Sequence, residues 1–436
     1  KIKLLTKNQV SLTLIEPTET GLKKSIMDAT GSVRSFLKSE NIHDYDQQSQ
    51  GPNYKVLIPT IIHTGFKTIK SQASLYRPIT KNGDPRIWFY KMTKIAEAND
   101  IIAIAYFDDN FQIFNLTQLD IEALLSSSIQ NPLQEQLAKE LTEFSKCKNY
   151  NLFLCNSGAE ANENALKLAS FHTKKKKVVA FTNGFHGRTS AAVAATDNSK
   201  IVAPINAQQE VEFFNLGDSD AVEKALSKND VCAVIIECIQ GVGGLDESTT
   251  EFYKTLEILC KKHQALLIAD EVQSGFGRTG DFFAFQKHNI VPDIISMAKG
   301  MGNGFPVGGI LIHPKIEAKS GMLGTTFGGN HLACTASLTV LNVIKKNDLM
   351  QNAKLISDYF IEKAKAIPQV KRVKGRGLML GLEFDFPIAE LRKHLIYKHH
   401  MFTGSAKDPN VIRILPALTV QKKHIDVFFE ALKKEL

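Results

Sequence analysis

The chain has 436 residues, 43% of them hydrophobic and 22% charged, with a formal net charge of +8. That length exceeds a single core and suggests two or three domains, and the apolar-to-charged balance excludes long disorder. No apolar stretch approaches the ~18 residues that span a bilayer, and the N-terminus lacks the apolar region of a signal peptide. A cytoplasmic chain with no membrane partner is therefore expected; it starts at Lys1 instead of Met, so an upstream piece stays open.

Up to about residue 125, strands are predicted at 54–69, 86–92 and 101–116, with a hairpin turn over Phe107, Asp108, Asp109, Asn110 and Phe111. From about 152 the texture changes. Short β-branched runs at 178–182, 231–237, 265–270, 293–297 and 308–312 alternate with helical patterns at 160–171, 220–226 and 250–263. This pattern predicts an α/β domain with a doubly wound, mostly parallel sheet. After residue 330 come two long helices, strands at 370–374 and 378–384, a helix at 387–397, a strand at 411–415 and a last helix, which reads as a smaller α+β domain. The expected domains are thus 1–122, small and mixed, then 123–330 and 331–436.

The one dense basic run, residues 174–177, falls between a helix and a strand and reads as a solvated loop instead of a nucleic-acid patch. The cysteines (Cys147, Cys155, Cys232, Cys238, Cys260 and Cys334) form no CxxC pair and have no histidines at zinc spacing. They read as reduced, buried thiols, and no metal is expected.

Several motifs carry chemistry. Lys299 stands where the apolar strand at 293–297 runs into a glycine-dense loop, a place that predicts a poorly hydrated amine able to attack an aldehyde. Read alone, such a lysine more often snorkels from a strand end. Asp270 ends another predicted strand, and ligands of open α/β sheets lie beyond such ends. A carboxylate there can keep a pyridine nitrogen protonated, although a turn or cap aspartate is an equal reading of that residue alone. Ser157, Gly158 and Ala159 open a helix and offer backbone N–H groups to a phosphate. Thr325 and Thr326, beside Gly328 and Gly329, form a second phosphate candidate. Phe185 can stack on a flat ring, His186 follows it, and Arg188 and Arg413 can pair with carboxylates.

In this order, Ser157 to Asn162, Phe185 to Thr189, Glu237 to Gly244, Asp270 to Gly280, Lys299, and Thr325 to Asn330 resemble the class III, ornithine-type aminotransferases of the fold-type-I pyridoxal-phosphate enzymes. The resemblance begins near Ser126, continues through Gly375 to Glu383, and is greatest toward acetylornithine and succinylornithine aminotransferases in Asn162 to Ala169, Ala195 to Asn198 and Ile412 to Pro416. It implies pyridoxal 5'-phosphate as cofactor, with Lys299 as the Schiff-base lysine and proton carrier and Asp270 on the pyridine nitrogen. Val272 would lie under the ring, Phe185 over it, and Gln273 at the ring hydroxyl. Gly158 and Ala159 of one subunit and Thr326 of the other would hold the phosphate, which implies a homodimer with shared active sites. Arg413 and Arg188 would anchor carboxylates, and Glu237 would line the pocket near the reacting amine. The implied substrates are an N-acylated ornithine and 2-oxoglutarate, which becomes glutamate, as in arginine biosynthesis.

Two departures stand out. Val242 occupies a position where many relatives have a second acid, used by ornithine aminotransferases to mask an arginine, and this favours an acylated substrate; Cys238 replaces a proline or glycine. The usual N-terminal arm, with its Gly- and His-containing loop, is not found, and residues 1–122 stand in its place. Within that block Ser74 to Tyr90 resembles N-terminal parts of some restriction-endonuclease-like proteins, but the block is near charge neutrality and shows no carboxylate-lysine nuclease set. Two alternatives to an active aminotransferase stay open on sequence alone: a cofactor-binding fusion without turnover, and a nucleic-acid-associated N-terminal module with a passenger enzyme.

Overall fold

The computed structural model describes residues 12–64, 67–107, 109–115, 117, 131–317, 319 and 321–436. Asp108 of the expected hairpin turn and the stretch from Ser126, where the resemblance begins, lie outside the described residues. The chain divides into two compact units, Lys1–Leu124 and Leu125–Leu436.

The first unit holds a sheet of seven strands: β1 (Leu12–Ile15), β2 (Met27–Asp28), β3 (Val56–Thr64), β4 (Lys67–Tyr76), β5 (Arg86–Phe89), β6 (Ile102–Phe107) and β7 (Asn110–Asn115), in the order β1-β6-β7-β3-β4-β5-β2. β3 and β7 run parallel, and the other neighbours are antiparallel. The expected hairpin is formed by β6 and β7. The single strand expected at 54–69 instead spans β3 and the start of β4, an antiparallel pair that joins Thr64 to Lys67 and Val56 to Leu75. The helix Gly31–Ser39 starts at Thr30, whose hydroxyl accepts from the Val33 N–H, and it buries Val33, Phe36 and Leu37 at helical spacing. These pack with Ile62, Leu75, Phe89 and Ile113 of the sheet.

The second unit contains another seven strands: β8 (Asn151–Cys155), β9 (Lys177–Phe181), β10 (Val211–Phe214), β11 (Val231–Ile236), β12 (Leu266–Asp270), β13 (Ile294–Met297) and β14 (Gly308–Ile312). Their order is β10-β9-β11-β12-β13-β14-β8. The run from β10 to β13 is parallel, while β14 is antiparallel to both its neighbours, β13 and β8. This is the doubly wound, mostly parallel sheet expected. All six residues of β11 and all five of β12 are buried, as strands covered on both faces must be. β10 escaped the sequence reading because it is a half-buried edge strand interrupted by Glu212. The basic run is held by acids at its strand end: Lys177 opens β9 and pairs with Asp230 at 2.6 Å and Glu212 at 3.0 Å.

Toward the C-terminus, β15 (Arg372–Arg376), β16 (Met379–Glu383), β17 (Gly404–Ser405) and β18 (Val411–Ile414) form an antiparallel sheet in the order β15-β16-β18-β17. The helices Leu349–Lys365, Ala389–His399 and Lys422–Glu435 join its core through Phe360, Leu395 and Phe429, packed with Leu382 and Ile412. All six cysteines are buried and unpaired.

Candidate active site

Parallel strands end on one edge of a sheet, so residues just past their carboxyl ends gather there. Here Asn156 to Ala159 follow β8, Phe185 to Arg188 follow β9, Glu237 follows β11, Asp270 closes β12 and Lys299 follows β13. β14 runs the other way, so the residues before it, Gly304 to Val307, reach the same edge. Together they line a cavity of about 450 Å³.

The Asp270 carboxylate has three partners in it. Its Oδ2 accepts from Asn162 Nδ2 and lies against His186 Nδ1, each at 2.7 Å, while Oδ1 accepts from the Val272 N–H at 3.0 Å. Burial works against a protonated His186, yet the hydrogen bond and negative charge of Asp270 outweigh it and raise its pKa above the ordinary value. His186 is thus hydrogen-bonded to Asp270 and also lines the cavity wall.

Glu237 is buried, and its oxygens accept from the Phe185 N–H at 2.9 Å and the Gly241 N–H at 3.0 Å. Burial lifts its pKa to about 7 against the pull of His186 and of the two amide bonds. It fixes the backbone beneath Phe185. Glu163 does similar work next door. Its carboxylate accepts from the N–H groups of Ala191 and Ala192 and from the Thr189 hydroxyl, holding the turn that carries Arg188.

Lys299 lines the cavity, but the expectation that it is buried is corrected: its side chain is exposed. β13 stops two residues earlier, and Lys299 turns out of the sheet with a left-handed φ of 44°, a conformation that non-glycine residues hold at a cost. Arg188 is exposed on the wall. Arg413 lines an adjoining cavity of about 580 Å³ that shares Lys299 and Gln273 with the first. Its Nη1 donates to the Gly241 carbonyl at 2.7 Å and lies 3.4 Å from Gln273 Oε1, and its Nε is buried without a partner. Thr325 touches the wall through Asn156 Nδ2 at 3.3 Å, whereas Thr326 is not among the described residues lining this cavity. Asn156, Asn162 and the Gly304 to Val307 wall have no role assigned from sequence; the signal for Asn162 is its place in the Ser157 to Asn162 motif, and that for Gly304 to Val307 is the glycine density after Lys299.

The residues fit a flat, phosphorylated pyridine. A Cβ on Gly158 would stand 2.5 Å from Val272 Cγ1, and one on Gly241 would stand 2.3 Å from Gln273 Oε1, so these glycines keep the cradle open. The helix Gly158–Thr173 has Ser157 as N-cap, with its hydroxyl on the Glu160 N–H and its carbonyl on the Ala161 N–H. The N–H groups of Gly158 and Ala159 therefore have no intrahelical acceptor and stand at the positive end of the helix dipole, beside the cavity. Asp270 Oδ1 supplies an acceptor for a ring N–H.

The family model of class-III aminotransferases matches residues 112–436, and the chain belongs to that family: it is a pyridoxal-phosphate-dependent aminotransferase. The match starts earlier than Ser126 and takes in most of β7. Within the family the chain is similar to the acetylornithine aminotransferase of Bacillus subtilis, 41% identical over 325 residues that cover 73% of this chain and 83% of that protein. It is likewise similar to the acetylornithine aminotransferase of Aquifex aeolicus, 38% identical over 331 residues, 72% of this chain and 85% of the relative. Among solved structures, the ornithine aminotransferase of Toxoplasma gondii superposes with a TM-score of 0.66 at 26% identity, covering 71% of this chain and 77% of that one. Another structure of that enzyme is described as having partial occupancy of PLP at its active site.

Proposed function

We propose that the chain moves the terminal amino group of N-acetylornithine or N-succinylornithine to 2-oxoglutarate, as a step of arginine biosynthesis in the cytoplasm. The amine leaves the acylornithine Cδ, which becomes an aldehyde, and replaces the 2-oxo oxygen of the acceptor to give glutamate. The observation that carries this reading is the convergence of Asp270, Phe185, Val272 and Lys299 on one cavity.

When bound, pyridoxal phosphate supplies the aldehyde that takes up the amine and a pyridinium ring that withdraws electrons from the carbon bearing it. Asp270 Oδ1 would hold the ring proton, Phe185 and Val272 would flank the ring, and Gln273 would meet its hydroxyl. The N–H groups of Gly158 and Ala159 would bind the phosphate. Lys299 Nζ would anchor the cofactor covalently and move the proton at the reacting carbon. Glu237 would keep Phe185 in place, and Arg188 and Arg413 would hold carboxylates. Arg413 has no carboxylate ion-pair partner among the described residues, which supports an acylated substrate that needs its cation unmasked.

The exposure of Lys299 and the position of Thr325 and Thr326 outside this cavity's lining support a homodimer in which a second subunit completes the site. We also infer that residues 1–122 are an accessory domain in place of an N-terminal arm, with 123–330 the cofactor-binding domain and 331–436 the small domain. The test is glutamate formation by the full chain with pyridoxal phosphate, 2-oxoglutarate and each acylornithine in turn. Turnover with either supports the reading. Cofactor uptake without glutamate from either would replace it with a non-catalytic cofactor-binding protein.

A further inference from the structure

Asn162 lies in the first turns of the helix Gly158–Thr173, is 1% exposed and lines the cavity. Its Nδ2 donates to two acceptors, Asp270 Oδ2 and the His186 carbonyl, each at 2.7 Å. Both neighbours are acceptors, so the amide can face them only with its NH2 end, and its Oδ1 is left buried without a partner. A buried carbonyl oxygen without a partner is costly, and the side chain would not hold this orientation unless the two donated bonds outweighed it.

The lone-pair count on Asp270 shows what those bonds achieve. A carboxylate oxygen accepts about two hydrogen bonds. Oδ2 has Asn162 and His186 and is filled. Oδ1 has the Val272 N–H alone, so one acceptor site remains, and it is on Oδ1. Without Asn162, a second site would open on Oδ2, and the carboxylate could rotate between them.

We infer that Asn162 is a positioning residue: it fills Asp270 Oδ2 and ties Asp270 to the His186 carbonyl, so that a single acceptor site, on Oδ1, is left for the ring nitrogen of the bound cofactor. This rests on the proposed pairing of Asp270 with that nitrogen. Asn162 touches neither substrate nor reacting atoms in this role. Leucine has the same branching and similar size but no donor. The carboxyl group introduced by N162D is nearly isosteric with the amide and can donate only while it shares a proton with Asp270, a state lost as pH rises.

The test uses the full-length protein and titrates the apo form with pyridoxal phosphate between pH 6 and 9. Cofactor affinity and visible absorbance are recorded beside the thermal midpoint of each apo variant. For N162L the expected result is roughly tenfold weaker cofactor binding at every pH, the loss of one hydrogen bond to a charged group. For N162D binding is expected to approach wild type at pH 6 and to fall toward the N162L value by pH 9. A purely structural role would lower the midpoints of both variants and leave their affinity profiles parallel to wild type, and that outcome overturns the inference. Should N162L fail to fold, the pH profile of N162D alone decides. D270N is the control for the underlying reading: if it binds cofactor with wild-type affinity and absorbance, the pairing of Asp270 with the ring fails, independently of what Asn162 does.

Discussion

Each unit of this chain is built on a seven-stranded sheet, but the two sheets use their polar residues differently. In the first, all but one of the neighbouring pairs are antiparallel, so strand ends alternate between edges, and polar side chains pair locally. His63 meets Gln112 at 2.7 Å, and Asn115 donates to Asp100 and to the Ile95 carbonyl. In the second, five strand ends open on one edge, and the polar groups there are only partly spent. Asp270 keeps an acceptor site on Oδ1, and Lys299 and Arg188 face outward from the wall. The next residue shows the contrast at its closest. Glu271 accepts as many hydrogen bonds as Asp270, from the Ala284 and Phe285 N–H groups and the Ser274 hydroxyl, but it is buried away from the cavity lining, and burial lifts its pKa to about 7. Strand direction decides where chemistry can collect, and access to the cavity decides which of two adjacent acids, equal in hydrogen-bond count, is left to do it.

The sharpest way to break this contrast is at Lys299. K299A is expected to reduce amino transfer by at least about a thousandfold, since both the covalent anchor and the proton carrier are lost. Its thermal midpoint should stay within a degree or two, because an exposed side chain contributes little packing. A variant that retains more than a hundredth of the activity would move the chemistry elsewhere.

D270A comes next. It removes the acceptor for the ring proton and leaves His186, Asn162 and the Val272 N–H without their partner, so cofactor affinity is expected to fall by roughly a hundredfold. Equilibrium titration of the apo-protein reads this directly. An unchanged dissociation constant would show that the free site on Oδ1 is not used.

Glu237 tests the pH side. Its folded pKa, about 7, stands above the ordinary 4.5, so between those values the folded state keeps a proton that the unfolded state has released. Its contribution to stability is complete below about pH 4.5 and is lost as pH rises through 7; Glu271 acts with the same sign. The urea midpoint of the apo-protein should therefore fall from pH 5 to pH 8, and fall less in E237Q. An equal decline in both would place the titration on other groups.

The smallest effect on function is expected from the first sheet. L75A removes a fully buried side chain and should cost that unit about 2–5 kcal/mol. Cofactor affinity and turnover at 20 °C should not change. A loss of cofactor binding would show that the two units are energetically coupled.

Much of this was legible in the sequence. Lys299, Asp270 and Phe185 announce themselves because an apolar strand running into glycine or a lone aromatic loop is a local pattern. Asn162 does not. Its place in the Ser157 to Asn162 motif gives it no role by itself, and the acid that does is 108 residues away. The burial expected of Lys299 failed for a related reason: its neighbours in sequence are apolar, but β13 ends at Met297 and Lys299, with its left-handed φ, is exposed. The hairpin inside 54–69 was hidden because the sequence between Thr64 and Lys67 carries no Asn-Gly or Asp-Gly pair to mark a turn.

The most direct measurement is borohydride reduction of the protein loaded with pyridoxal phosphate, followed by peptide mass spectrometry. The expected result is a pyridoxyl group on the peptide containing Lys299 and loss of that label when Asp270 is replaced by alanine at limiting cofactor. Label on a different lysine, or none under saturating cofactor, would contradict the placement of the active site at the carboxyl edge of this sheet.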